Sequence, residues 1–391
     1  MTDHIALRLV AGKGVSCRDG DRFLNISLIT NSTPRRVAVV YQALPPPVID
    51  GLRKDAKPGG YSDSGADIAF GLRQAGIYVV TPSQQPDPGQ AFDWVFPDTE
   101  EGLLAATEAG ANVLWANTVL FRGHPIERHL STHWIVGQLP ERQQAVDDKF
   151  ATNACLQKAG LPVAQSLLIA RHREAAETVA LSTLTEEILS ANDLAFPLIV
   201  KPVRGRGSQG VSRVHGWDDM TAAITSLFDH GLFGDRVVVE QYLPGEELTI
   251  TVLSRGLDAA GNPRRPLVLP PVRRFNHDDG IAPYNGSVAV TANSLALTRA
   301  QWESQPVEHI MHACARAFDL MGGLAPFRID CRADQNGRYR IFDVNMKPNM
   351  TGAGRPGRQD QDSLSAIAAR EMGWSFPDLL LHMLDCAWRK R

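Results

Sequence analysis

Short apolar runs and helically spaced apolar positions alternate along this chain, and the alternation changes style near residue 36 and again near residue 130. At Arg36 the run RVAVVYQ suits a buried strand of a parallel sheet, which is apolar on both faces. Beyond Pro45, Pro46 and Pro47, the segment SDSGADIAFGLRQAGIYVV places Ala66, Ile68, Ala69 and Leu72 at helical spacing. Gly76 is a stop, and IYVV is the next strand. Strand, helix, strand predicts a right-handed crossover and an open α/β sheet. Further strands are expected at Asp93–Phe96 and Ala111–Ala116, with a helix over Glu100–Ala109 between them. The result is a small doubly wound domain without GxGxxG at its first turn, so no dinucleotide site is evident there. Residues 1–36 carry two strand-like runs, His4–Val10 and Phe23–Ile29, to which the pattern assigns no role.

The second style begins with AVDDKFATNACLQKAGLPVAQSLLI, a helix closed by Gly160 and followed by a strand. LSTLTEEILSAND then reads as a helix and FPLIVKPV as a strand. GRGSQGVSRV is a glycine loop returning into a strand, WDDMTAAITSLFDH a helix, and RVVVEQYLPGEELTITVLS a strand, turn and strand. Residues 255–300 are loop-rich. A helix over Gln305–Met321 leads into a hairpin at 325–349, and helices over Leu364–Met372 and Phe376–Ala387 follow.

That hairpin, APFRIDCRADQNGRYRIFDVNMKPN, turns at Asn336-Gly337, the strongest short-range hairpin signal. A two-residue turn sets Asp330 against Asp343 and Arg328 against Asn345, and strand alternation puts all four side chains on one patch. A three-residue turn would send the two aspartates to opposite faces. Opposed like charges destabilise a sheet, so the carboxylate pair needs a reason. A Mg²⁺-type cation, which takes one or two carboxylates plus substrate phosphates, supplies one. A solvated charged hairpin is the alternative.

With 391 residues and 43% hydrophobic content, the chain is long enough for two or three domains. A net charge of -3 gives no global reason to expect nucleic acid or an anionic membrane as partner. Local clusters such as Arg204/Arg206 and Arg273/Arg274 suit a small anion better. The five cysteines form no CxxC pair, which argues against a disulfide framework or zinc site and fits a reducing cytosol. MTDHIALRLVAGKG has no long apolar segment and no stretch reaches spanning length. A soluble, cytoplasmic protein is expected, with a homodimer as an option.

Gly205-Arg-Gly207-Ser208-Gln-Gly210 formally matches GxGxxG, but it runs from strand to strand rather than strand to helix. Such a loop can still fold over phosphates through backbone N–H groups, with Lys201 adding a point charge. A flexible surface hairpin is the other reading. Lys149 heads a helix and by itself carries no functional weight. EQYLPGEE, after Val237–Val239, either presents Glu240 and its backbone to a purine edge or is an ordinary charged turn.

Taken together, KPxxGxGSxGV, EQYLPGEE, RxDxR and DxNxxP stand in the order and rough spacing of the ATP-grasp superfamily. From about Asp148 to Leu380 the chain resembles the D-alanine–D-alanine ligase branch. The resemblance implies an α/β chain with α+β subdomains, an ATP-grasp fold behind a doubly wound pre-ATP-grasp domain. Expected units are an extension at 1–36, the α/β domain at 37–140, a lid subdomain at 141–235 and a C-terminal subdomain at 236–391. Lys149 and Lys201 would contact ATP phosphates, with Gly205, Gly207, Ser208 and Gly210 closing over them. Glu240 and Leu243 would hold adenine, and Glu247 the ribose. Asp330, Asp343 and Asn345 would bind Mg²⁺ (or Mn²⁺), and Arg328 would steady the reacting oxygens. The implied reaction joins a carboxylate and an amine through an acyl phosphate, with ADP and phosphate released. Activation of another carboxylate or bicarbonate, and a non-catalytic ATP-binding regulator, are the alternatives.

Three departures bear on the substrate. Lysine stands in 54–60 where the D-alanine ligases carry an acid for the first substrate's amine, which argues against D-alanine. Position 343 is Asp where Glu is usual. TGAGRPGRQDQD follows the DxNxxP motif before the next helix. Arg355 and Arg358 become candidates for a substrate carboxylate or phosphate. Ser363 either caps the helix or aids carboxylate binding. His277, Asp278 and Asp279 either line the acceptor site or solubilise a lid loop with Gly280, Pro283 and Gly286.

Overall fold

The structure is a computed structural model describing residues 26–391 other than 31, 51, 54–55, 173–176, 206, 259–261, 278 and 282–288. His4–Val10 lies outside the described residues, as do Asp278, Pro283 and Gly286.

Three sheets organise the described chain. In the first, Arg36–Tyr41 is central and runs parallel to Val113–Asn117 on one side and to Tyr78–Val80 and Val95–Pro97 on the other. Val37, Val39 and Val113 are fully buried, because a parallel strand covered by helices on both faces has no wet side. The helix over Ser62–Gln74 makes the first crossover and ends where Gly76 takes φ +80°. Chain order assigns the last residues to the third unit, but in space they pack with the first sheet. The Phe376–Asp385 helix packs on Ser62–Gln74, and Trp388–Lys390 pairs with both Trp134–Val136 and Ile26–Leu28.

The second sheet runs Thr178–Ala180, Ser166–Ala170, Arg236–Gln241, Leu198–Pro202, Ser212–Val214. Leu198–Pro202 and Ser212–Val214 are antiparallel neighbours, so the glycine loop joins two strands as the sequence indicates. Between Leu181 and Ala191 the expected long helix is shorter. Thr185 caps a helix of only Glu186–Ala191, preceded by a 3-10 turn at Leu181–Thr183, because a capping threonine restarts the helix there.

The third sheet runs Ser294–Ala296, Val272–Arg274, Glu247–Leu253, Phe327–Ala333, Tyr339–Asn345, with the Gln305–Leu320 helix on its apolar face. Arg236–Gln241 and Glu247–Leu253, consecutive in sequence, belong to different sheets. The Tyr242–Glu246 turn is therefore the crossing between them. Gly245 is required there: a Cβ would lie 2.7 Å from the Ala333 Cβ and 2.8 Å from its carbonyl oxygen. Among the described residues no helix is long and apolar enough to cross a membrane.

Candidate active site

The hairpin closes differently from the two-residue expectation. Ala333 pairs with Tyr339, and the Asp334 N–H donates to the Arg338 carbonyl at 2.9 Å, leaving Gln335, Asn336 and Gly337 as a three-residue loop. Gly337 takes φ +75°, and the Asp334 carboxylate accepts from the N–H groups of Asn336 (2.9 Å) and Arg338 (3.0 Å). This is a type I turn ending in a left-handed glycine, the usual three-residue hairpin. Such a loop alone would set Asp330 opposite Phe342. Instead the register slips by one residue: Cys331 pairs with Ile341 and Asp330 with Asp343, leaving Phe342 as an unpaired bulge. Arg328 still faces Asn345. Two irregularities cancel, and the four side chains share a patch.

The bulge also frees the Phe342 carbonyl, which accepts from Lys201 Nζ at 3.1 Å and from Asn153 Nδ2 at 3.4 Å. Lys201 and Glu240, diagonal neighbours on the second sheet, pair at 2.6 Å with both side chains buried. Burial pushes the Glu240 carboxyl up, against the pull of Lys201. Lys149 follows the Asp148 cap, which accepts from the Ala151 N–H, and reaches Asp343 at 2.5 Å. Burial opposes ionisation of Asp343, but the cations of Lys149, Lys201 and Arg328 hold it below the ordinary carboxylate range. Asp330 accepts from Thr249 Oγ1 at 2.8 Å and pairs with Arg328 at 3.2 Å. The seam between the second and third sheets is thus a lattice of alternating charges.

At the other end of this seam Glu247 meets His277 Nε2 at 2.9 Å and Arg332 at 3.8 Å. Leu243 is buried at the crossing turn, whereas Gly207 and Ser208 lie exposed at the tip of their loop. The Glu240 carboxylate is occupied by Lys201 and Asn153. Asn345 accepts from the Lys347 N–H at 2.9 Å.

The remaining sequence candidates lie elsewhere. Arg355, 2% exposed, pairs with Asp67 at 2.8 Å, and Arg358 reaches the same carboxylate at 3.0 Å. The carboxylate these arginines meet is the chain's own, on the Ser62–Gln74 helix, and it docks the 351–362 segment. Ser363 is a helix cap: its Oγ accepts from the Ala366 N–H at 3.2 Å. Sequence reasoning missed Asn153, Thr249 and the Phe342 carbonyl. Asn153 was findable, since it stands four residues after Lys149 on the same helical face.

Among the described residues no group of three or more His, Cys, Asp or Glu could hold a metal. Two carboxylates and an amide oxygen suit a hard cation that completes its shell with phosphate and water oxygens, so the donor set fits Mg²⁺ rather than a protein-caged ion.

Comparison with known proteins bears on the fold and the family. A D-alanine–D-alanine ligase from Bacillus anthracis, solved with ATP, superposes with a TM-score of 0.61 at 16% identity, covering 90% of this chain and 96% of that one. A D-Ala:D-Ser ligase from Enterococcus faecalis gives 0.60 at 16% identity, with 90% and 99% covered. These likenesses establish the ATP-grasp fold. Residues 155–385 match the family model described as D-ala D-ala ligase C-terminus, and the chain belongs to that family of ATP-grasp, C–N bond-forming ligases. D-alanine–D-alanine ligases of Mannheimia succiniciproducens and Acinetobacter baumannii are 26% and 28% identical over 238 and 239 residues. Each match covers 61% of this chain, and 67% and 66% of the respective relative.

Proposed function

We propose that this protein joins a carboxylic acid to an amine at the expense of ATP, through an acyl phosphate. A substrate carboxylate oxygen bonds to the γ-phosphorus as the bond to the bridging oxygen breaks and ADP leaves. The amine nitrogen then bonds to the acyl carbon, and phosphate and a proton depart. The observation that carries this reading is the seating of Lys149 and Lys201 on the Asp343 strand. Cations and carboxylates are interleaved at one seam, an arrangement that can hold a polyanion and its counterions together. Lys149 and Lys201 hold phosphate oxygens under the Gly205–Gly210 loop, the Glu240–Leu243 backbone takes the adenine edge, and Glu247 takes the ribose. Arg328 steadies the transferred phosphoryl and acyl oxygens. Asp330, Asp343 and Asn345 would hold Mg²⁺, or Mn²⁺, which when bound neutralises charge between the phosphates and the incoming carboxylate.

The first acid is proposed to differ from D-alanine. Lys57 Nζ lies 4.3 Å and Lys347 Nζ 3.4 Å from the Tyr61 ring centroid. Lys347 is two residues from Asn345, so two ammonium groups flank the exit of the metal hairpin and disfavour a substrate amine there. The test is phosphate release from ATP and Mg²⁺ against pools of carboxylic acids and amines, with products identified by mass spectrometry. Acid- and amine-dependent release with a new amide supports the reading. Measurable ATP binding without release for any pair would overturn it in favour of a regulator.

A further inference from the structure

In the first sheet the chain order reverses at Arg36–Tyr41. Tyr78–Val80 and Val95–Pro97 lie on one side of that strand, and the chain then crosses to place Val113–Asn117 on the other. In an open α/β sheet a crevice opens outside the carboxyl ends of the strands at such a reversal, and ligands bind there. Tyr41 and Asn117 end these two strands in register. Both strand ends hold the segment that follows. The Gln42 N–H donates to the Gly60 carbonyl at 2.8 Å, and Asn117 Nδ2 to the Tyr61 carbonyl at 2.9 Å. Gly59, Gly60 and Tyr61 are left-handed in succession, at φ +69°, +55° and +67°. A Cβ at position 60 would stand 1.8 Å from the Gln42 carbonyl oxygen, so that glycine is required. Tyrosine has no such freedom, and its left-handed backbone is strain that the surrounding bonds hold in place.

This fold-back positions the Tyr61 ring, whose centroid lies 4.3 Å from Lys57 Nζ and 3.4 Å from Lys347 Nζ. Lys347 Nζ also donates to Asn117 Oδ1 at 3.1 Å, and the Lys347 N–H donates to Asn345 Oδ1 at 2.9 Å. The crevice therefore opens on the exit of the metal hairpin. Asp63, in the first turn of the Ser62–Gln74 helix, has its carboxylate turned to Arg355 at 3.3 Å and Arg358 at 3.8 Å. A ring face attracts each ammonium, but two like charges gathered on one ring repel each other, and an anion between them offsets that repulsion. We propose that the acid substrate carries a second anionic group, carboxylate or phosphate, which binds between Lys57 and Lys347 while its reacting carboxylate faces the metal hairpin. The inference rests on the ligase reading above and names its substrate class: a dianionic acid with no amine beside the reacting carboxyl. Lysine, a point charge on a flexible stem, suits either anion.

The test follows hydroxamate formation with ATP, Mg²⁺ and hydroxylamine as the amine. The acids are chain-length series of dicarboxylic, phosphonocarboxylic, monocarboxylic and α-amino acids. The wild-type protein is compared with Lys57→Met, Lys347→Met and Lys57→Arg, and melting temperatures are measured alongside. The wild-type protein is expected to favour a dianionic acid over the monocarboxylic acid of equal length by at least about 100-fold in kcat/KM, the scale of two charge-assisted hydrogen bonds. Preference for either dianion supports the proposal, and the ratio between the two identifies the anion. Each Met variant should raise KM for that acid about tenfold or more, with a smaller change in kcat. Lys57→Arg should keep the preference. A cation–π clasp that only pins the loop predicts a lower melting temperature in the Met variants and equal losses for every acid. That result, or a wild-type preference for monocarboxylic or amino acids, overturns the inference while leaving the ligase reading intact. Product from no acid, in a protein that binds ATP by calorimetry, removes both.

Discussion

Asp330 faces Asp343 across a hairpin whose turn has the wrong length for it, and the Phe342 bulge restores the match. The pairing survives in the folded chain because each carboxylate has its own cation, Arg328 for one and Lys149 for the other. Neutralising either side of this patch should leave the fold intact and stop the chemistry. Asp330→Asn and Arg328→Ala are each expected to lower turnover by about 10³-fold or more, the scale of losing a charge that acts on the reacting oxygens. Melting temperature should move by only a few degrees. Near-wild-type rates in either variant would remove these residues from the site.

Much of this was legible in the sequence. The strand and helix order of the first sheet follows from apolar runs and helical spacing, and the motif order located the seam. The turn was misread although its signal was present: Asp334 at the first position and Gly337 at the fourth spell a type I turn with a left-handed exit. The bulge left a weaker trace. Ile341 and Val344 are both core residues, a spacing of three that no regular strand allows on one face. Phe342, apolar itself, disguised it. The role of Asp67 was not legible at all, since its partners Arg355 and Arg358 arrive from almost the far end of the chain.

The Lys201–Glu240 pair is the most buried ion pair of the seam, with side-chain exposures of 6% and 4%. Removing one member strands the other charge. Lys201→Met should therefore cost about 3–5 kcal/mol in stability as well as abolishing turnover. Lys201→Met/Glu240→Gln should recover much of the stability, because a neutral amide needs no cation, while remaining inactive. Denaturant titration of the three proteins measures this; a double variant no more stable than the single one would contradict the account.

Arg355 distinguishes docking from substrate recognition. Through Asp67 it fastens the 351–362 segment, and its guanidinium also donates to the Pro88 carbonyl at 2.8 Å. Arg355→Met should destabilise the protein by about 3 kcal/mol or more, since a buried carboxylate loses a partner. It should also speed tryptic cleavage at Arg358 in the loosened segment. If Arg355 served the substrate instead, KM for the acid would rise with melting temperature and cleavage rate unchanged.

The Lys149–Asp343 pair gives stability a defined pH window. Asp343 is held below its ordinary value of 3.8, so its contribution is present above that value and is lost as pH falls through the lowered one. Lys149 is a raised base: burial works to lower it, but Asp343 outweighs that. Its contribution is present below 10.5 and is lost as pH rises through the raised value. The two limbs bracket a plateau. In metal-free buffer, the stability difference between the wild-type protein and Lys149→Met/Asp343→Asn should be level across the neutral range. It should shrink on the acid side below 3.8 and on the alkaline side above 10.5. Denaturant midpoints collected across the pH range read this directly. A difference that grows toward acid would mean that Asp343 is raised rather than lowered, and that Lys149 does not hold it.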